Sequence, residues 1–214
     1  MSKKTAKANN NNEDAADKTT VILDAAIKVF ADKGYFGARV SDIAKEAGIA
    51  YGLVYHYFDS KEDLLISIFR TRWENFLNAI KRQIETEDDP REMVRGIISF
   101  LFHSYKNNPR MIEVMIIDVV KASRFFSGEN VRHFKVAFEL ITKIVEIGQS
   151  GGRFKAEIDP TLAAYSIFGS VERIMLKWIV DGVRSITANE ANEATDMLTA
   201  TLLDGLSVCP DDKG

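Results

Sequence analysis

The sequence predicts an all-α protein of about nine helices, and three observations carry that prediction. From Thr20 onward apolar residues recur at the three- and four-residue spacing of a helix face. Each interior proline follows Asp or Asn: Asp89-Pro90, Asn108-Pro109 and Asp159-Pro160. That pair reads as an N-cap followed by proline at the first helical position, where a missing N–H costs nothing. No alternating segment is bounded by turns, and the β-branched run MIIDVV, Met115 to Val120, lies inside a helix-length segment.

The elements follow in order. Residues 1–16 are low in complexity, with Asn9 to Asn12 in a row and Lys3, Lys4 and Lys7 making the tip basic. They are expected to form a disordered tail, because they have little apolar surface to offset the entropy of ordering; the competing reading is a tail that touches DNA phosphates. Ile22, Ala26, Val29 and Phe30 mark the first helix, which Gly34 stops. Ser41-Asp42 opens a second helix with Ile43, Ala44 and Ala47 on one side, and Gly48 ends it. A third helix spans Tyr51 to Phe58. Ser60 and Asp63 then form a capping-box signature for a fourth. Further starts are expected near 90, 109 and 160, with a break at Ser127-Gly128. Thr187 and Glu190 form a second capping box, opening a last helix that runs to about Gly205.

Composition bounds the function. The chain has 214 residues, 46% hydrophobic, with a net charge of −3. Residues 1–70 hold ten basic and ten acidic side chains, so any DNA-binding charge must be local. The single cysteine, Cys209, cannot form an internal disulfide, and no apolar run approaches the ~20 residues that span a bilayer. The N-terminus lacks the apolar core of a signal peptide. The expected location is therefore cytoplasmic, without a membrane partner. The three histidines, His56, His103 and His133, lack metal-site spacing, and neither a nucleophile elbow nor a phosphate-cradling glycine loop is present. No enzyme, cofactor or metal is expected.

The third helix carries the strongest signal. Three short helices over residues 20–58 with tight turns suit a helix-turn-helix, whose third helix here would enter the major groove. Val54 and Phe58 are four apart and can face a core of Phe30, Ile43 and Ala47. That leaves Tyr51, Gly52, Leu53, Tyr55, His56 and Tyr57 largely outside it. Aromatics with polar tips suit hydrogen bonds to phosphate oxygens; alternatively, Tyr55 and Tyr57 pack on neighbouring helices.

The segment AGIAYGLVYHYFDSKEDLL, Ala47 to Leu65, resembles the recognition region of TetR/AcrR-family transcriptional regulators. Ile22–Gly34 resembles that family's first helix and Ser41–Gly48 its second. The match at motif level covers residues 20–66. The resemblance implies phosphate contacts from Tyr55 and Lys61, with His56 and Tyr57 as further backbone contacts. It places Tyr51, Gly52 and Leu53 on the base-reading face, Leu53 against a thymine methyl, and the Ser41 hydroxyl on a phosphate. Two departures stand out. Ala50 replaces the usual serine or threonine N-cap of the third helix. Arg39 stands where the family often has threonine, and is read as a phosphate contact, a guanine contact or a solvated side chain.

The domains expected are the tail (1–16), a DNA-binding part (17–66), a ligand-binding and dimerisation part (67–206) and a flexible end (207–214). The resemblance implies a homodimer built on the last two helices, through Leu162, Tyr165, Phe168, Gly169, Glu172, Met175, Leu198 and Leu202; the alternative is an ordinary buried helix pair. Phe102, Met111, Met115, Phe125, Phe134 and Phe138 form a Phe/Met cluster that suits an apolar effector or a plain core. Arg124 and Arg132 lie close in sequence and would meet an anionic head group, which makes a fatty acyl-CoA the first expectation. The leading function is thus a dimeric repressor released from a palindromic DNA operator by a small-molecule effector. The rival is an all-helical lipid carrier or interaction protein that does not bind DNA.

Overall fold

Side-chain caps set most helix starts. The structure, a computed structural model, describes residues 3–119 and 129–206. Among them are nine α-helices: α1 (Lys3–Gly37), α2 (Val40–Glu46), α3 (Tyr51–Tyr57), α4 (Lys61–Thr86), α5 (Pro90–Asn107), α6 (Pro109–Glu113), α7 (Glu129–Ser150), α8 (Pro160–Val180) and α9 (Ala188–Leu206). All three Asx-Pro pairs open helices as expected. Asp89 accepts from the Arg91 N–H at 2.9 Å, Asn108 from Met111 at 3.0 Å and Asp159 from Leu162 at 2.8 Å. Ser60 caps α4 through the Asp63 N–H at 3.0 Å. Thr187 and Glu190 bond reciprocally ahead of α9, the Glu190 carboxylate accepting from the Thr187 N–H at 2.7 Å.

Three boundaries differ from the sequence expectation. Helix α1 begins at Lys3 and continues past Gly34, which is kinked out of helical geometry at φ 68°. Extending a formed helix avoids the nucleation step, so the polar N-terminal residues can continue it. Helix α2 opens one residue before Ser41, with extended Arg39 at its cap. The run MIIDVV does not continue α6 as an α-helix: Val114–Asp118 forms one π turn, closed by the Val119 N–H on the Val114 carbonyl. The expected ligand contacts Arg124 and Phe125 lie outside the described residues.

One hydrophobic core runs through both parts of the chain, from Ile22 in α1 to Leu203 in α9. Helix α1 packs on α2, α4, α6 and the π turn. Helix α5 is central, touching α4, α7, α8 and α9. Arg95 clamps Asp196 of α9 with two hydrogen bonds, at 2.9 and 2.7 Å. No helix among the described residues is long and apolar enough to cross a membrane.

After α7 the chain turns at Gly151-Gly152, where Gly152 takes φ 66°, and folds buried Phe154 back over Gly148. A Cβ at Gly148 would overlap the Phe154 ring. Gly148→Ala should therefore lower stability by about 1–3 kcal/mol, the usual cost of overfilling a packed site. A thermal melt should show the decrease, and an unchanged midpoint would contradict this packing.

Candidate nucleic-acid interface and ligand cavity

Two buried side chains orient the third helix. Val54 and Phe58, one turn apart, sink into the core beside Phe30 and Ile43. Tyr51 and Tyr55 are thereby left 53% and 44% exposed, with Gly52 and His56 open beside them. The two tyrosine rings meet edge to face, centroids 5.3 Å apart, and their hydroxyls share a 3.3 Å hydrogen bond. That bond, then desolvation, raises the Tyr55 phenol above its ordinary value, so it keeps its proton. Leu53 and Tyr57 are half-buried. Tyr57 packs partly on the core and meets His56 edge-on, centroids 5.2 Å apart. Arg39 and Ser41 are exposed at the start of α2. The Arg39 N–H donates to the Asp42 carboxylate at 3.1 Å, and Lys33 reaches the same carboxylate at 2.9 Å. The Lys33 ammonium, then the Arg39 N–H, holds the Asp42 carboxyl below its usual range. Ala50 caps α3 without a side-chain hydrogen bond.

Lys61 does something the sequence did not suggest. Its ammonium donates to the carbonyls of Tyr35 at 2.7 Å and Ala38 at 3.0 Å, and stands 4.5 Å over the Tyr35 ring. It ties the start of α4 to the α1–α2 turn, leaving one N–H for a phosphate.

Beyond α4 a cavity of about 590 Å³ opens between α4, α5, the α6–π segment, α7 and α8. Its apolar part is aromatic. Trp73 stacks on Phe134 with centroids 4.9 Å apart, and Phe76 lies between Phe100 and Phe168. Met111 and Met115 close the side nearest α1. Helix α4 lines it with a mixed face at helical spacing: Arg72, Asn75, Phe76, Ala79 and Arg82. The Trp73 indole N–H donates to the His133 carbonyl at 2.9 Å, fixing the ring.

Of the expected effector contacts described, Met111, Met115 and Phe134 line this cavity. Phe102, Phe138 and Arg132 do not. Phe102 is fully buried on the far side of α5 against Trp178, Phe138 stacks on Tyr165, and Arg132 points to solvent. Trp73, Phe76, Arg72 and Arg82 were missed. The alternation of polar and apolar residues along one face of α4 was their signal.

Residues 22–68 match the family of bacterial regulatory proteins named tetR, and residues 69–201 match the C-terminal region of YsiA-like proteins in the same family. This chain belongs to the TetR family of transcriptional regulators. The fatty acid metabolism regulator protein of Bacillus subtilis is 27% identical over 84% of this chain and 92% of its own. The repressor KstR2 of Rhodococcus jostii is 26% identical over 89% and 91%. Among solved structures, Bacillus subtilis FadR in complex with stearoyl-CoA superposes with a TM-score of 0.78 at 26% identity, covering 87% of this chain and 98% of that one. The fatty acid degradation regulator FadR of Bacillus halodurans gives 0.80 at 28%, over 88% and 96%.

In this TetR-family chain the residues expected at a dimer interface divide between two faces of α8 and the inside of α9. Phe168, Glu172 and Met175 turn inward and line the cavity, at i, i+4 and i+7. Leu162 and Tyr165 are exposed, and the Gly169 position borders open space. On α9, Leu198 is buried and Leu202 half-buried; this helix uses its apolar face chiefly against α5. Met197 remains exposed instead.

Lys61→Met should lower stability by about 1.5–3 kcal/mol, the range for hydrogen bonds to a charged group, through loss of both carbonyl contacts. Operator affinity should fall with it, while the salt slope changes by less than the ~0.9 of one full phosphate contact. Full stability with a slope reduced by a whole phosphate would instead make Lys61 chiefly a DNA contact.

Proposed function

We propose that this regulator is a homodimeric repressor that leaves a palindromic operator when a long-chain acyl-CoA enters the cavity. The observation carrying this reading is the composition of the cavity wall: an aromatic and methionine-lined space of about 590 Å³ with two guanidinium groups, Arg72 and Arg82, on α4. Apolar volume suits an acyl chain, and arginine suits the phosphates of a coenzyme A head group. The stearoyl-CoA complex of the similar Bacillus subtilis FadR supports the same ligand class.

DNA would be held by residues 17–66. Tyr55, His56, Arg39 and Ser41 approach phosphates, and Tyr51, Gly52 and Leu53 face the bases. Residues 67–206 would hold the effector and the second copy. The outward face of α8 (Leu162, Tyr165, Gly169 and Val180), together with Met197, supports dimerisation, because these apolar or small positions are open to solvent in one chain. Such a regulator works in the cytoplasm, where both operator and acyl-CoA are found. Release follows by linkage only if the acyl-CoA prefers the protein conformation that fits the operator poorly.

The test is to titrate acyl-CoAs of increasing chain length against a preformed operator complex, with free coenzyme A as control. Release should strengthen with chain length, and binding should change the fluorescence of Trp73 in the cavity wall. Footprints should show two half-sites about one helical turn, ~34–36 Å, apart. An operator complex indifferent to every acyl-CoA would remove this effector class, and an asymmetric single half-site would remove the dimer.

A further inference from the structure

We infer that Arg72 serves two partners in turn: the Asp24 carboxylate of α1 when the cavity is empty, and the anionic head group of the effector when it is filled. The inference rests on the acyl-CoA reading above and adds how occupancy reaches the DNA-binding part. Arg72 belongs to the wall of the cavity, yet its guanidinium lies 3.9 Å from Asp24, on the helix that supports α2 and α3. That separation is too long for a hydrogen bond, so charge alone holds the pair and this carboxylate does not occupy the Arg72 N–H groups. A phosphate can take the same guanidinium through two shorter, charge-assisted hydrogen bonds. Asp24 is the more exposed partner, with 62% of its side chain open against 37% for Arg72. Water therefore compensates Asp24 readily when Arg72 turns to the ligand.

The second tie between α1 and the cavity wall differs in kind. Arg110 meets Asp32 at 3.0 Å, within hydrogen-bond range, and Arg110 does not line the cavity. It keeps α1 attached while the Arg72 contact changes. Filling the cavity thus frees one of the two ion pairs that join α1 to α4 and α6 among the described residues, and α1 can shift about the other. Exposed ion pairs are weak, so the exchange sets only part of the coupling: about 1.5- to 5-fold in affinity. The operator-bound form holds this pair more tightly than the free form in this scheme, so ligand and operator weaken each other by the same factor.

The experiment measures palmitoyl-CoA affinity for the full-length protein, free and on its operator, in wild type, Asp24→Asn, Arg72→Gln and the double variant. Asp24→Asn should raise affinity for the operator-bound protein by about 1.5- to 5-fold and for the free protein by less, so that the difference between the two narrows. In the Arg72→Gln background Asp24→Asn should change nothing. Arg72→Gln alone should weaken palmitoyl-CoA and leave the uncharged palmitoyl-N-acetylcysteamine thioester unaffected. No gain from Asp24→Asn, or an equal gain in both backgrounds, overturns the exchange while the effector assignment stands. A wild-type protein that binds no palmitoyl-CoA overturns both.

Discussion

The direction in which α4 leaves the DNA-binding part depends on where one ammonium group sits. Lys61 opens α4 and reaches across to the carbonyls of Tyr35 and Ala38, at the end of α1 and in the turn before α2. Gly34, kinked at φ 68°, presents those carbonyls by breaking the helix just ahead of them. The Tyr35 ring completes the seat from the side. A buried or half-buried carbonyl left without a donor is costly, so the contact fixes the angle at which α4 leaves the DNA-binding part. Helix α4 is also one wall of the cavity. Any tilt of that wall therefore arrives at the carbonyl seat without passing through a flexible linker.

The cavity and the core are built from the same aromatic residues. Trp73 stacks on both Phe69 and Phe134, and Phe138 stacks on Tyr165 while touching Phe168 edge-on. Each edge-to-face or stacked pair in such an array contributes beyond its buried area. Tyr165 is half open to solvent on the face of α8 proposed to meet a second copy. The aromatic array therefore spans from the cavity to that face.

How much was legible in the sequence depended on range. Caps were legible because both partners lie within three residues: Asp89 with Arg91, Asp159 with Leu162, Thr187 with Glu190. The orientation of α3 was legible because Val54 and Phe58 are the apolar pair that can reach Phe30 and Ile43. The role of Lys61 was not, since its acceptors are 23 and 26 residues away and are backbone atoms that no motif marks. The two faces of α8 could not be told apart because the helix is apolar on both sides. Spacing alone cannot say that Phe168 and Met175 look inward while Leu162 looks out. Arg124 and Arg132 were the arginines expected at the cavity, from their closeness in sequence to the Phe cluster. Arg124 lies outside the described residues and Arg132 is exposed, whereas Arg72 and Arg82 line the cavity from a mixed polar and apolar face of α4.

The π turn at Val114–Asp118 supplies part of the cavity wall. It follows α6 directly and carries Met115 and Ile116 in the wall, beside Met111 and Ile112 of α6. A π turn encloses one residue more than an α turn. If its bonds slipped back to α-helical register, each later side chain would rotate by roughly 100° about the axis, the angle of one residue at 3.6 per turn. The backbone register of this one turn, as well as side-chain size, thus shapes the space that Met115 and Ile116 border.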